Sequence, residues 1–225
     1  MLKIIKISKE EICNLSRMPC AINDNPCYLT ALQLLKSKIA LEDSALYKHH
    51  KSFNLKTLYD IYGSGEKLKQ YSFKSIFLPW IHTEPVIGYE DVAFMQRDEG
   101  FVKDQIEKIK RLISSIKETG YKPEKFVDRK KGHITGYFLE SENKKKFYVV
   151  SGNHRASVYS ALFPKKRLPI IYEEKGFMKP RDRASRTAPI LEKYSYKNIN
   201  QWPAVTSGFV NKNVALKILE RYTNV

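Results

Sequence analysis

The sequence predicts an α/β fold, more narrowly α+β: a small mixed sheet with flanking helices, and helical additions at both ends. Three observations carry this. Lys103 to Thr119 sets Ile106, Ile109, Leu112 or Ile113, and Ile116 at helical spacing, and Gly120 follows as a C-terminal cap. Ile134 to Leu139 and Lys146 to Val150 are apolar runs on either side of the polar tip Ser141-Glu142-Asn143-Lys144, the pattern of an antiparallel hairpin. Phe147 to Tyr172 then reads as strand, glycine turn, short helix ended by Pro164, and second strand from Leu168. A strand–helix–strand unit of this kind predicts parallel strands joined by a right-handed crossover.

The remaining elements follow in order. Lys3 to Ile7 reads as a short strand. Pro26 to Ala40 reads as a helix, with Asn25 and Thr30 as candidate caps and Leu29, Leu32, Leu35 and Ile39 at helical spacing. Leu46, Tyr47, Phe53, Leu55, Leu58 and Ile61 form an apolar set around the basic tip Lys48-His49-His50-Lys51. Thr57 to Tyr62 is helical and Gly63 ends it. Pro79 confines any strand over Phe73 to Ile81 to an edge or a strand end. His82 to Gly100 lacks periodicity and reads as a loop. Glu173 to Ser185 is polar and basic, residues 187–209 are irregular but packed, and a last helix runs from about Asn211 to Tyr222. This gives a mainly helical N-terminal part (1–82), a core (83–175), and a basic loop with a C-terminal helix (176–225).

Composition limits the function classes. Of the 225 residues, 42% are hydrophobic and 12% aromatic, which excludes a disordered chain. No run approaches the roughly 18 apolar residues that span a bilayer. The N-terminus carries charges where a signal peptide needs its apolar region, so a soluble, cytoplasmic protein is expected. Cys13, Cys20 and Cys27 match neither a zinc nor a CxxC redox spacing, and no histidine spacing suggests a metal.

The net charge of +16 is unevenly placed. Residues 1–100 hold 13 Lys/Arg and 12 Asp/Glu, whereas 101–225 hold 27 and 12. The basic excess therefore lies in the half that contains the glycine turn, and such a field attracts phosphates.

The turn Ser151-Gly152-Asn153-His154-Arg155 suits an anion. Glycine allows close backbone approach, and the first amides of a helix point outward with the helix dipole behind them. Arg155 adds a planar fork, His154 a ring N–H, and Asn153 an amide.

The segment SGNHRASVYSALFPKKRLPIIY (151–172), with IEKIKRLISSIKETGYKPEKF (106–126) ahead of it, resembles the ParB/sulfiredoxin superfamily. The likeness covers roughly residues 100–172, about a third of the chain. The pieces ALYKHHKSF, LPW, HITGYFL and NQWPAVTSG are similar to ParB-like proteins found with surface-polysaccharide genes. The resemblance implies a nucleotide-phosphate site at the turn, formed by Ser151, Gly152, Asn153, His154 and Arg155, with ATP or another nucleoside phosphate and Mg as cofactors. Members include DNA clamps, sulfinic acid reductases, free-serine kinases and nucleases. Asn153 stands where a sulfiredoxin needs cysteine. No helix-turn-helix pattern follows Tyr172, as a partition protein would need.

The function expected is thus phosphotransfer to a small polar hydroxyl substrate, such as a sugar derivative or an amino acid. The kinases of this fold place a glutamate before the long helix, which points to Glu99 or Asp98 as base, with Glu90 third, and His154 beside the phosphates. Arg183 and Arg186 are candidate substrate or phosphate clamps. The alternative is a non-catalytic nucleotide- or nucleic-acid-binding regulator, with Tyr121, Phe126 and Tyr137 for stacking. Against it, the sequence shows no run of aromatics interleaved with basic residues.

Overall fold

The computed structural model describes residues 2–15, 19–87, 97–123, 134–173 and 194–225. These form a mixed α+β fold with two sheets and flanking helices. The strands are β1 (Leu2–Ile7), β2 (Ile12–Leu15), β3 (Pro19–Ala21), β4 (Thr135–Glu140), β5 (Lys145–Ser151), β6 (Leu168–Glu173) and β7 (Tyr194–Ser195). The helices are α1 (Pro26–Lys36), α2 (Ala45–Ser52), α3 (Leu58–Tyr62), α4 (Glu99–Thr119), α5 (Asn153–Leu162), α6 (Pro203–Thr206) and α7 (Lys212–Thr223).

β5 is the middle strand of a five-stranded sheet ordered β3-β2-β5-β4-β7. It pairs in parallel with β2 (Cys13 opposite Tyr148) and antiparallel with β4 (Phe138 opposite Phe147). The hairpin read from the sequence is therefore present. The parallel pairing of β5 with the strand after α5 is not. β2 and β4 occupy both edges of β5, so β6 must pair elsewhere, and it forms an antiparallel ribbon with β1, Ile4 opposite Ile171. Residues 1–82, read as mainly helical, also supply β1, β2 and β3.

Strand alternation divides the core in two. Ile12, Phe147 and Val149 face one cluster with the buried stripe of α4 (Ile106, Ile109, Ile113, Ile116), Cys27 and Ala31 of α1, and Ala156 and Val158 of α5. Cys13, Tyr148, Tyr137 and Leu139 face the other, with α3, α6, α7, Phe77, Trp80 and Trp202. The second core is aromatic, and hydrogen bonds join several of its polar tips. Trp80 Nε1 donates to Tyr137 Oη at 3.0 Å, and Tyr148 Oη donates to the Tyr222 carbonyl at 2.7 Å. Tyr62 Oη donates to the Phe77 carbonyl. Residues 73–81 form no named strand; a single bridge joins Ile76 to Val86.

Helix ends follow the sequence rules closely. Asn25 Oδ1 accepts from the amide of Cys27 at 2.8 Å and caps α1, with Pro26 in the first turn. Thr30, the other candidate cap, is buried inside α1; its Oγ1 accepts from the Leu46 amide at 2.9 Å and ties α2 to α1. Gly63 ends α3 with φ 64°.

Gly136 lies next to an irregularity in the β4–β5 register and tight against β5. A Cβ there would lie 1.8 Å from the Tyr148 carbonyl oxygen, a backbone atom that cannot swing away. Gly136→Ala is expected to lower stability by about 3 kcal/mol, the upper part of the overpacking range. Denaturant unfolding followed by tryptophan fluorescence checks this, and an unchanged midpoint would contradict it.

Candidate anion site at the start of α5

α5 is buried on nearly every side. Its residues Ala156, Ser157, Val158, Ser160 and Ala161 are mostly small, which lets α1 and α4 close on it while the sheet lies beneath. Ser157 Oγ lies 3.4 Å from Asn25 Oδ1, so the cap of α1 also holds α5. What remains for other partners is its N-terminal turn.

That turn is made by Gly152 at φ 86°, a left-handed conformation that L side chains rarely adopt. The first intrahelical bond runs from the Ala156 amide to the Gly152 carbonyl at 2.9 Å. No side chain caps the amides ahead of it. α1, α2, α3, α4 and α7, in contrast, are capped by Asn25, Ser44, Thr57, Asp98 and Asn211. The dipole of α5 is thus uncompensated at its positive end.

The side chains around the turn carry the same sign. His154 is largely buried, and its pKa is lowered to about 4, first by burial and then by the cations Lys108 and Arg155. It is neutral at pH 7. Among the described residues no carboxylate pairs with Lys108 or Arg155. Asn153 Oδ1 is buried and has no hydrogen-bond partner, an arrangement that costs roughly 1–3 kcal/mol if nothing answers it. Ser151 is exposed at the end of β5, opposite Thr135.

The structure therefore brings together Ser151, Gly152, Asn153, His154 and Arg155. It adds Lys108, which reads in the sequence as one more charge on the polar side of α4. Only the packing of α4 on α5 brings it to His154, so no local pattern marks it.

The candidate bases sit elsewhere on α4. Asp98 Oδ1 accepts from the Phe101 amide at 2.7 Å and serves as the N-cap. Glu99 Oε1 accepts from Tyr47 Oη at 3.0 Å. Glu99 is nine residues from Lys108, about 13 Å along the helix at 1.5 Å per residue. Glu90, Arg183, Arg186 and Phe126 lie outside the described residues. Tyr121 and Tyr137, the proposed stacking residues of the alternative reading, are buried: Tyr121 Oη accepts from the Ile134 amide at 2.9 Å, and Tyr137 accepts from Trp80. They offer no ring face to a base. All three cysteines are free, and burial pushes their thiols up to about 11 to 12, so they are unreactive at neutral pH. Among the described residues no three or more His, Cys, Asp or Glu side chains gather to hold a metal, and no helix is long and apolar enough to cross a membrane.

Comparison with protein-family models, with curated proteins and with solved structures gives no match. The chain is thus defined by its own geometry: a mixed α+β protein with an uncapped, cation-flanked helix start.

The depressed pKa of His154 makes stability depend on pH. Between about 4 and 6.5 the unfolded chain binds a proton that the folded chain does not, so stability falls as pH drops through this window. At 1.36 kcal/mol per unit the loss is on the order of 3 kcal/mol. His154→Gln is expected to flatten this part of the curve. Urea unfolding of both proteins at intervals from pH 7 to 4 checks it, and parallel curves would contradict it.

Proposed function

We propose that the start of α5 binds the phosphates of a nucleotide, and that the protein is a nucleotide-dependent phosphotransferase. ATP with Mg is the favoured cofactor, and the acceptor is a small polar hydroxyl compound such as a sugar derivative or an amino acid. The observation that carries this reading is the uncapped N-terminus of α5 with Lys108 and Arg155 beside it and no described carboxylate to neutralise them. The resemblance of residues 100–172 to the ParB/sulfiredoxin superfamily points the same way. The likeness of flanking pieces to ParB-like proteins found with polysaccharide genes favours a sugar acceptor in surface polysaccharide synthesis.

Each residue then has a role set by its chemistry. Gly152 lets the backbone approach, and the amides of Asn153, His154 and Arg155 face the phosphate oxygens. Arg155 supplies a fork and Lys108 a point charge. His154, neutral when free, donates through a ring N–H, and an adjacent phosphate would raise its pKa. Asn153 gives a fit to this ligand: turning its amide places an N–H where the unpartnered Oδ1 now lies.

Phosphoryl transfer asks mainly for positioning and charge stabilisation, and bound magnesium would neutralise charge between the phosphates. Magnesium keeps water and phosphate ligands and needs only one or two carboxylates. Asp98 is committed to its cap, so Glu99, held by Tyr47, is the proposed base. A ligand anchored at the turn reaches Glu99 only by running along α4.

Calorimetry with ATP, ADP, CTP and GTP, each with magnesium, tests the site. Arg155→Ala and Lys108→Ala are each expected to weaken nucleotide binding about tenfold or more, as loss of a charged hydrogen-bond donor implies. No heat with any nucleotide, or unchanged affinity in both variants, would contradict the assignment. Glu99→Gln is expected to retain nucleotide affinity while phosphate transfer falls at least about a hundredfold, within the range for general acid–base groups.

A further inference from the structure

On the other side of the sheet, rings from three separate segments line up. Phe53 follows α2 and packs on Phe73, with centroids 5.3 Å apart. Tyr71, with φ −102° and ψ 127°, lies two residues before Phe73 on the stretch that leads into the turn at Ser72–Ser75. The stretch is fixed to α3: the Leu58 amide donates to the Tyr71 carbonyl, and the Phe73 amide donates to the Lys56 carbonyl, both at 2.9 Å. Tyr71 in turn packs on Phe209, 5.9 Å away, from the turn before α7. The result is a row of two ring pairs, Phe53–Phe73 and Tyr71–Phe209, joined through residues 71–73; Phe73, Tyr71 and Phe209 are half-buried on the aromatic core and Phe53 is half-buried beside Phe73.

Lysines fringe this row. Residues 45–74 hold six lysines against two carboxylates, while the rest of residues 1–100 holds seven basic residues against ten acidic. Both carboxylates are occupied locally: Asp60 accepts from the amides of Lys56 and Thr57, and Glu66 pairs with Lys69 at 2.7 Å. Lys67 Nζ lies 5.8 Å from the centre of the Phe209 ring, and Lys69 Nζ lies 4.8 Å from that of Tyr59. The exposed neighbours of the rings include Asn54, Lys56, Lys67, Lys69 and Ser72, with no exposed aliphatic among them. The face has rings to stack on, charge for a phosphate backbone, and no wedge to insert into lipid.

We infer that this row of rings is a binding surface for single-stranded nucleic acid, separate from the α5 site. Bases stack on ring faces whatever their identity, and lysines track the backbone, so the surface would be tolerant of sequence and sensitive to salt. Against the expectation above, residues 67–74, Lys-Leu-Lys-Gln-Tyr-Ser-Phe-Lys, already alternate basic residues and rings in the sequence, and packing adds Phe53 and Phe209.

Fluorescence anisotropy with labelled oligo(dT) and oligo(U) of 20 nucleotides, over a salt series, tests the inference. Phe53→Leu and Phe73→Leu keep apolar packing and remove the ring face; each is expected to weaken binding at least about fivefold without changing the salt slope. Lys56→Gln with Lys67→Gln, on the exposed surface, is expected to lower the slope by about 1.4, at about 0.7 per charge on a single strand. Circular dichroism confirms that each variant is folded. Binding that survives both ring replacements would overturn the inference and leave only the general attraction of a basic chain. Absence of binding at low salt would also overturn it, as would capture by anionic phospholipid vesicles in place of either oligonucleotide.

Discussion

The turn at Gly152 takes its position from a strand held on both sides. β5 is bonded to β4 from Lys145 to Ser151 and to β2 from Phe147 to Val149, so its middle is paired on both sides and its direction is fixed. When the chain leaves β5 it cannot pair again beside it. It turns at a positive φ and starts a helix that is at once enclosed by α1 and α4. The same enclosure that buries α5 leaves its first turn as the part open to a ligand. The charge there is not an accident of the surface, since Lys108 arrives from a second helix and Arg155 from the first turn of α5 itself.

The sheet is held by unlike cores. The face with α1, α4 and α5 is mainly aliphatic and built from small residues at the helix contacts. The opposite face is a network of Trp and Tyr rings in which Trp80 bonds to Tyr137, Tyr148 to a backbone carbonyl and Trp202 to the Asn198 side chain. Burying these rings contributes large apolar area, and these bonds avoid the penalty of unpaired polar groups. At Gly136 the β5 backbone leaves no room for a Cβ, so a single methyl group there strains the sheet.

Much of this can be read directly from the sequence, where the signal is local. The hairpin, α4 with its isoleucine stripe, Asn25 as a cap, Gly63 as a stop, and the five residues of the α5 turn all depend on spacing within one turn or one strand. What the sequence misreads is long-range. The βαβ rule predicts a partner for β6 from chain order, but occupancy of both edges of β5 decides otherwise, and that occupancy comes from residues 12–15, far away in sequence. Lys108 is hidden for the same reason, since helix packing rather than helix periodicity sets its neighbour. Thr30 has the chemistry of a cap but sits in mid-helix, and its hydroxyl goes to another helix. Asp98 shows the opposite ambiguity: a carboxylate ahead of a long helix is equally suited to capping and to catalysis, and here it caps.

His154 reports directly on whether the start of α5 takes an anion. Its imidazole pKa, followed by nuclear magnetic resonance of the ring protons, is predicted to be near 4 in the free protein. Saturation with ADP and magnesium is predicted to raise it by about 1–3 units, the effect of an opposite charge at close range. An ordinary value near 6.5 in the free protein, or a depressed value that nucleotide leaves unmoved, would contradict the account.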